Sequence, residues 1–295
     1  SSSSSSSSEQ GSGSSSSEKK KGENAGSTSP NVGVWTQYRF DKITDSKANN
    51  NWDAKQHTLV VGADWKATEK ALVGLALSYT RSNSDMTFQN GKMDDNTFSI
   101  MPYFGYQIMD FLSLDLIGGY ARSKKDGYRR ALDLATGLTT GEKVTSKPVA
   151  NRIFAAPTLT VSKSINALNL AGSIGYIYAN NRQNAFTESN NETTDSLDTR
   201  LSRFTSGLNF GYRVNNMVEP YLALSYARDL LADKIDNTTA ASTQAASGTN
   251  KNTYGAGAGL NMAVNNALTG NIGYDYQKNG TLKINSVKVM VRYAF

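Results

Sequence analysis

Nine charged residues lie in segments where polar or charged positions alternate with apolar, aromatic or small ones. They are Arg39, Asp64, Asp115, Arg152, Arg213, Glu219, Asp275, Lys288 and Arg292. A period of two places them on one face of β-strands and the apolar residues on the other face. A charge that leaves bulk water needs a partner or a wet environment. We expect these side chains to line a water-filled lumen, where they pair across the bore or contact a chain inside it.

The remaining chemistry-bearing residues do not form the pattern of a catalytic or metal site. His57 is the only histidine and the chain has no cysteine, so cysteine catalysis and thiolate metal sites are excluded. Glycine alternates from Gly255 to Gly259, but no helix pattern follows as a phosphate loop requires. No basic face is interleaved with aromatic residues, so nucleic acid is not an expected partner. The sequence predicts neither an enzyme nor a cofactor.

The alternation predicts an all-β fold, a twelve-stranded antiparallel transmembrane β-barrel of the outer-membrane type. The predicted strands are 32–46, 52–66, 71–83, 93–107, 111–124, 147–162, 167–180, 200–214, 217–231, 250–264, 267–277 and 281–295. Most are longer than the ~9–11 residues that a tilted membrane strand requires. Only alternate residues of such a strand meet lipid, so the mean hydropathy of −0.48 is compatible with a membrane protein.

The connections between the predicted strands alternate in length. Short ones lie near 67–70, 108–110, 163–166, 215–216 and 265–266; longer ones lie near 47–51, 84–92, 125–146, 181–199 and 232–249, and 278–280 is a short exception. Outer-membrane barrels have short periplasmic turns and longer outside loops, so we expect both chain ends on the periplasmic side. The predicted aromatic girdle consists of Trp65, Tyr79, Tyr120, Tyr178, Tyr212, Tyr226, Tyr254 and Tyr276.

Residues 1–31 form a separate region, which we interpret as a serine-rich flexible linker. Fully extended, it reaches roughly 100 Å, about three times the ~30 Å hydrocarbon core. It is therefore long enough to thread the pore. No secretory signal opens the chain, so we expect either a processed or excised C-terminal piece or a chain from which the signal was removed.

The last strand carries the residues most typical of one family. Val291, Tyr293 and Phe295 alternate to the C-terminus, like the assembly signal of outer-membrane barrels, although Val289 and Met290 stand where that signal has a polar residue and glycine. With Gly62-Ala63-Asp64-Trp65, Val73-Gly74-Leu75-Ala76 and Glu219-Pro220-Tyr221-Leu222, residues 32–295 resemble the C-terminal β-domain of a classical autotransporter, the translocator of type V secretion. The Asn- and Lys-rich loops also resemble those of rickettsial surface-antigen barrels.

This resemblance implies a monomeric barrel in the bacterial outer membrane that anchors an N-terminal passenger and leads it to the cell surface. Its implied partners are the passenger, outer-membrane lipid and lipopolysaccharide, the barrel-assembly machinery and periplasmic chaperones. In the family a helix usually precedes the first strand inside the barrel, whereas residues 1–30 have poor helix propensity. Two other functions remain open from the residues alone: a porin-like channel for small solutes, and a surface adhesin acting through its long loops.

Overall fold

A computed structural model describes residues 31–46, 51–87, 90–133, 136, 139–232 and 250–295. These residues form the strands β1 (Val32–Asp45), β2 (Trp52–Lys66), β3 (Ala71–Met86), β4 (Gly91–Met109), β5 (Leu112–Leu132), β6 (Thr139–Ser146), β7 (Val149–Ile165), β8 (Leu168–Gln183), β9 (Phe186–Thr187), β10 (Thr193–Thr194), β11 (Leu197–Tyr212), β12 (Val218–Ala232), β13 (Asn252–Ala263), β14 (Leu268–Asn279) and β15 (Leu282–Ala294). Within the described ranges, no helix is long and apolar enough to cross a membrane. The predicted linker 1–31 lies outside the described residues, apart from Asn31.

Twelve of the strands, all except β6, β9 and β10, close into one antiparallel barrel. Closure is made by β1 and β15, which pair from Gly33 opposite Ala294 to Asp45 opposite Leu282. The C-terminal residue completes the seam, since the Phe295 N–H donates to the Val32 carbonyl at 2.9 Å and the Val32 N–H donates back at 3.2 Å. The predicted fold class is confirmed, and a closed barrel leaves no open edge that could aggregate.

The short connections are fixed by local side-chain chemistry. The Asn215 side-chain oxygen accepts hydrogen bonds from the N–H groups of Met217 and Val218, both at 2.8 Å. Asn265 repeats this arrangement with Ala267 and Leu268 at 2.9 and 2.7 Å. Such asparagine turns reverse the chain within a few residues. They place the ends of β11, β12, β13 and β14 at one rim, which we call the short-turn rim; the opposite rim is the outer rim.

Two of the predicted outside loops contain strands that the sequence pattern did not reveal. β5 continues to Leu132, eight residues beyond its predicted end, and pairs with β6. β9 and β10 form a small second hairpin, which packs on the first: the Arg129 guanidinium donates to Glu188 at 2.5 Å and to Glu192 at 2.9 Å. The hydrogen bond to Glu188 raises the pKa of Arg129 above its ordinary value. Val144 is fully buried, so this part of the outer rim is an ordered structure.

The two faces of the barrel differ as the alternation predicted. On β3, the Leu75 side chain is 49% exposed on the outside, while its neighbour Ala76 is 2% exposed on the inside. The inner face is less uniformly polar than expected, because Ala76, Met101 and Phe154 form an apolar cluster on it. The wall of the bore therefore alternates between charged and apolar patches.

Candidate functional site

A hydrogen-bonded group of side chains on the inner wall spans the closing seam. Arg292 on β15 donates two hydrogen bonds to Asp64 on β2, at 2.5 and 2.6 Å. Tyr103 on β4 donates to the same carboxylate at 2.9 Å, and the indole N–H of Trp35 on β1 donates to Tyr103 at 2.8 Å. Asp64 is 4% exposed and Arg292 is 32% exposed. We call these four residues the seam cluster.

Glycines beneath its long side chains make the seam cluster possible. The Arg292 side chain crosses over Gly33 on β1 to reach Asp64, and Tyr103 crosses over Gly74 on β3. A Cβ atom at either glycine would lie under 3.0 Å from the side chain above it, closer than real Cβ contacts come. Glycine is therefore required where these long side chains bridge non-adjacent strands.

Three further predicted charges are paired on the wall nearby. Lys288 and Asp275 lie 3.0 Å apart, and Arg39 donates to Asp41 at 2.7 Å. Asp41 also accepts from Ser286 on β15 at 2.5 Å, which adds a second link across the closing seam. Farther round the bore, Arg203 and Asp229 form an ion pair at 2.5 Å. The sequence reasoning missed this last pair because facing strands could not be aligned residue by residue.

The other predicted charges lack an opposite charge or lie elsewhere. Glu219 on the inner wall accepts hydrogen bonds from Asn169 and from Asn261, the latter at 3.2 Å. Asp115 and Arg152 are partly buried and make no ion pair within the described part of the chain. Arg213 differs from its predicted position: it follows the end of β11 and is exposed at the short-turn rim, since only the residues within the strand keep to the alternating faces.

The outer boundary of the lipid-facing surface is marked by a ring of six tyrosines. Each strand that runs towards the outer rim carries one outward tyrosine whose hydroxyl hydrogen-bonds a side chain on the next strand. The pairs are Tyr38–His57, Tyr79–Asn96, Tyr120–Asn151, Tyr176–Ser202, Tyr226–Asn252 and Tyr274–Asn285, at 2.6 to 2.9 Å. Every partner lies two positions nearer the outer rim than the residue directly opposite the tyrosine. This tyrosine ring turns each hydroxyl towards water, as aromatic girdles do.

The ring coincides only in part with the predicted girdle. Tyr79, Tyr120 and Tyr226 belong to it, whereas Tyr38, Tyr176 and Tyr274 were missed. Tyr178 and Tyr254 lie outward and exposed next to it, and Tyr276 is half-buried. At the short-turn rim, the outward and exposed residues include Trp65, Tyr212, Val291, Tyr293 and Phe295. The signal that joins the six members is a diagonal pair of a tyrosine and a polar residue on the next strand, which is visible only once the strand register is known.

Comparison with known proteins identifies the family. A family model described as the autotransporter β-domain matches residues 32–275. The chain belongs to this family. As an autotransporter β-domain, it is a passenger-translocating barrel of the bacterial outer membrane, as the sequence resemblance predicted. The rickettsial resemblance of its loops stays a prediction.

Solved structures of autotransporter barrels share the fold. The translocator domain of NalP from Neisseria meningitidis has a TM-score of 0.74 and 17% identity, covering 92% of this chain and 90% of that one. The β-domain of the Bordetella autotransporter BrkA gives 0.72 and 16%, covering 90% and 100%. The transport unit of AIDA-I from Escherichia coli gives 0.66 and 12%, covering 89% and 90%. No protein with a curated description matches the sequence.

Proposed function

We propose that the passenger of this autotransporter β-domain passes through the lumen, and that residues 1–30 occupy the lumen afterwards as a resident linker. The observation that carries the proposal is the position of Asn31. Its carbonyl accepts a hydrogen bond from the Lys66 N–H at 2.7 Å, which fixes the start of the barrel at the short-turn rim. A passenger attached before residue 1 therefore starts on the periplasmic side and must cross the full height of the barrel to reach the surface.

The inner wall is suited to a chain that passes through without binding tightly. Arg292, Lys288 and Arg39 are each neutralised by a wall carboxylate, so they present little net charge to a passing segment. Asp115, Arg152 and Glu219 have no opposite charge at contact distance among the described residues. We assign to these three the polar contacts with the linker or the passenger. Asp115 and Arg152 lie on the neighbouring strands β5 and β7 but six positions apart in register, and Glu219 lies on the more distant β12, so no single strong binding site holds the chain.

The size of the bore sets what can pass. Barrels of eight strands are filled by their side chains and those of sixteen are open channels, so twelve strands enclose an intermediate space. An α-helix with side chains is about 10–12 Å across, so one helix or one to two extended segments fit. A folded passenger does not fit, and the driving force then comes from passenger folding outside and from the barrel-assembly machinery, whose recognition signal is the strand ending at Phe295. The barrel itself performs no catalysis in this account.

Surface display of a reporter tests the proposal. A short unstructured epitope fused before Ser1 should become accessible to added protease on intact cells. The matched control is the same epitope preceded by a small domain locked by a disulfide, which should stay in the periplasm because it cannot enter the bore. An epitope that remains protected in both fusions would contradict translocation.

A second measurement tests whether the linker lies in the lumen. Deleting residues 1–30 should raise the single-channel conductance of the purified barrel severalfold, since a chain segment would leave the bore. Unchanged conductance would show that residues 1–30 do not occupy the lumen, whatever the reporter result.

A further inference from the structure

Two pairs of lysines lie directly opposite each other on the outer surface of neighbouring strand pairs. Lys42 on β1 is opposite Lys55 on β2, and Lys278 on β14 is opposite Lys283 on β15. Like charges directly opposite on one face of a sheet are destabilising. Such pairs are tolerated when an anion lies between or above the two ammonium groups.

The two pairs belong to one continuous patch. Lys42 lies diagonally from Lys283 across the β1–β15 seam, and Arg81 on β3 lies diagonally from Lys55. All five side chains are exposed. Within the described residues, none of them forms an ion pair or a side-chain hydrogen bond. We call Lys42, Lys55, Arg81, Lys278 and Lys283 the basic patch.

Few carboxylates balance this patch. Asp53 lies two residues beyond Lys55 on the same face, Asp85 lies opposite Asp53, and Asp94 on β4 lies diagonally from Arg81 and accepts a hydrogen bond from Asn83. Asp85 is already paired with Lys92 at 3.0 Å. The patch thus keeps a net positive charge over five adjacent strands, a width of roughly 19 Å at ~4.8 Å per strand.

The height of the patch on the barrel indicates what faces it. It lies immediately outside the tyrosine ring, on the sides of the strands that carry the pairs Tyr274–Asn285, Tyr38–His57 and Tyr79–Asn96. Lys42 follows Tyr38 by four residues, and Lys278 follows Tyr274 by four residues. Side chains just beyond an aromatic girdle lie among the lipid headgroups rather than in hydrocarbon. On this side of the barrel, the headgroups belong to the outer leaflet.

We propose that the basic patch binds the phosphate groups of a phosphorylated glycolipid in the outer leaflet, which in this membrane is lipopolysaccharide. Phosphates placed between Lys42 and Lys55 and between Lys278 and Lys283 relieve the repulsion of both pairs. The bound glycolipid also covers the outer-rim end of the β1–β15 seam from outside, whereas the seam cluster lies on the inner wall near the short-turn rim. The site is independent of passenger translocation.

Two double variants and one control test the proposal on the full chain in neutral detergent. The variants are Lys42→Gln with Lys55→Gln, and Lys278→Gln with Lys283→Gln. The control is Lys70→Gln with Lys163→Gln, which removes two exposed lysines at the short-turn rim. A basic residue near an anionic surface contributes about 1 kcal/mol, or roughly fivefold in affinity. Each patch variant should therefore bind purified lipopolysaccharide about 25-fold more weakly than wild type, and the control should bind as wild type does.

Melting temperatures supply a second readout, because the difference between variant and wild type should change sign when glycolipid is added. Without glycolipid, each patch variant should melt at the same temperature as wild type or higher, since a like-charge pair is gone. With saturating lipopolysaccharide, wild type and control should melt higher than the patch variants. Equal binding by wild type and both patch variants would overturn the proposal. The proposal would also be overturned if dephosphorylated glycolipid, or inorganic phosphate alone, raised the melting temperature of wild type as much as lipopolysaccharide does. The basic patch would then not recognise the phosphate of a lipid.

Discussion

Replacing Arg292 with alanine is expected to lower the free energy of unfolding of the barrel by about 3–4 kcal/mol. The reason is the carboxylate that stays behind. Asp64 is 4% exposed, and removing one partner of a buried, hydrogen-bonded ion pair leaves an uncompensated charge, which costs about 3–5 kcal/mol. Tyr103 still donates to Asp64, so we expect a value at the lower end of this range.

The control for this variant lies on the same face of the same strand. Lys288 pairs with Asp275, but their side chains are 22% and 24% exposed, so lumen water can replace the lost partner. Lys288→Ala should cost about 1 kcal/mol or less. Denaturant unfolding in detergent micelles, followed by tryptophan fluorescence, measures both, because Trp35 lies in the seam cluster. Equal losses for Arg292→Ala and Lys288→Ala would contradict the special role of the seam cluster.

A double-variant cycle separates the pair from its surroundings. Asp64→Ala alone should cost less than Arg292→Ala, since the partly exposed guanidinium of Arg292 regains water. The two changes together should cost clearly less than the sum of the single changes, with a coupling of about 2 kcal/mol, as residues of one hydrogen-bonded network do not act additively. Additive losses would mean that the two side chains do not interact in the folded barrel.

Replacing Gly74 with alanine is expected to cost about 2–4 kcal/mol, a large effect for one methyl group. The new Cβ would lie under 3.0 Å from the Tyr103 ring, which must then move away. Moving the ring breaks its hydrogen bonds to Asp64 and from Trp35, each worth about 1 kcal/mol or more, and adds the strain of overpacking.

Gly172→Ala is the matched control, because its new Cβ would meet Leu208 at 3.5 Å, an ordinary contact. It should change the free energy of unfolding by no more than about 0.5 kcal/mol. Gly74→Ala should also become nearly neutral when Tyr103 is already alanine, since the three atoms nearest to the new Cβ all belong to the Tyr103 side chain. A full loss that persists in the Tyr103→Ala background would show that backbone conformation, and not the Tyr103 ring, requires glycine at position 74.

Most of the fold could be predicted from the alternation of apolar and polar or small side chains. Leu75 and Ala76 show why: in a strand with lipid on one side and the bore on the other, successive residues must differ in polarity or size, and this is visible in the sequence. Closure was predictable as well, since Phe295 ends a strand that would otherwise leave an edge. The extension of β5 to Leu132 was not predictable, because beyond the membrane both faces meet water and the pattern around Arg129 loses its contrast.

The pairing of individual side chains could not be read from the sequence. Asp64 and Arg292 are 228 residues apart, and they meet only because β15 closes on β1 in one particular register. The pattern fixes the face on which each residue lies but not its height on the barrel. For the same reason the nine charges were predicted without their pairings, and partners such as Asp41 and Tyr103 were not identified.

The central claim is that alternate side chains of each strand face lipid and an aqueous lumen. Its most direct test is a scan of β15 with single cysteines, since the chain has no cysteine of its own. A fluorescent label at each position from 287 to 292 is exposed in turn to brominated lipid and to a water-soluble quencher. The account predicts that labels at 287, 289 and 291 are quenched by the lipid, and that labels at 288, 290 and 292 are quenched only from water. Quenching by lipid at consecutive positions, or at none, would contradict a closed barrel with one face in the membrane and the other around an aqueous bore.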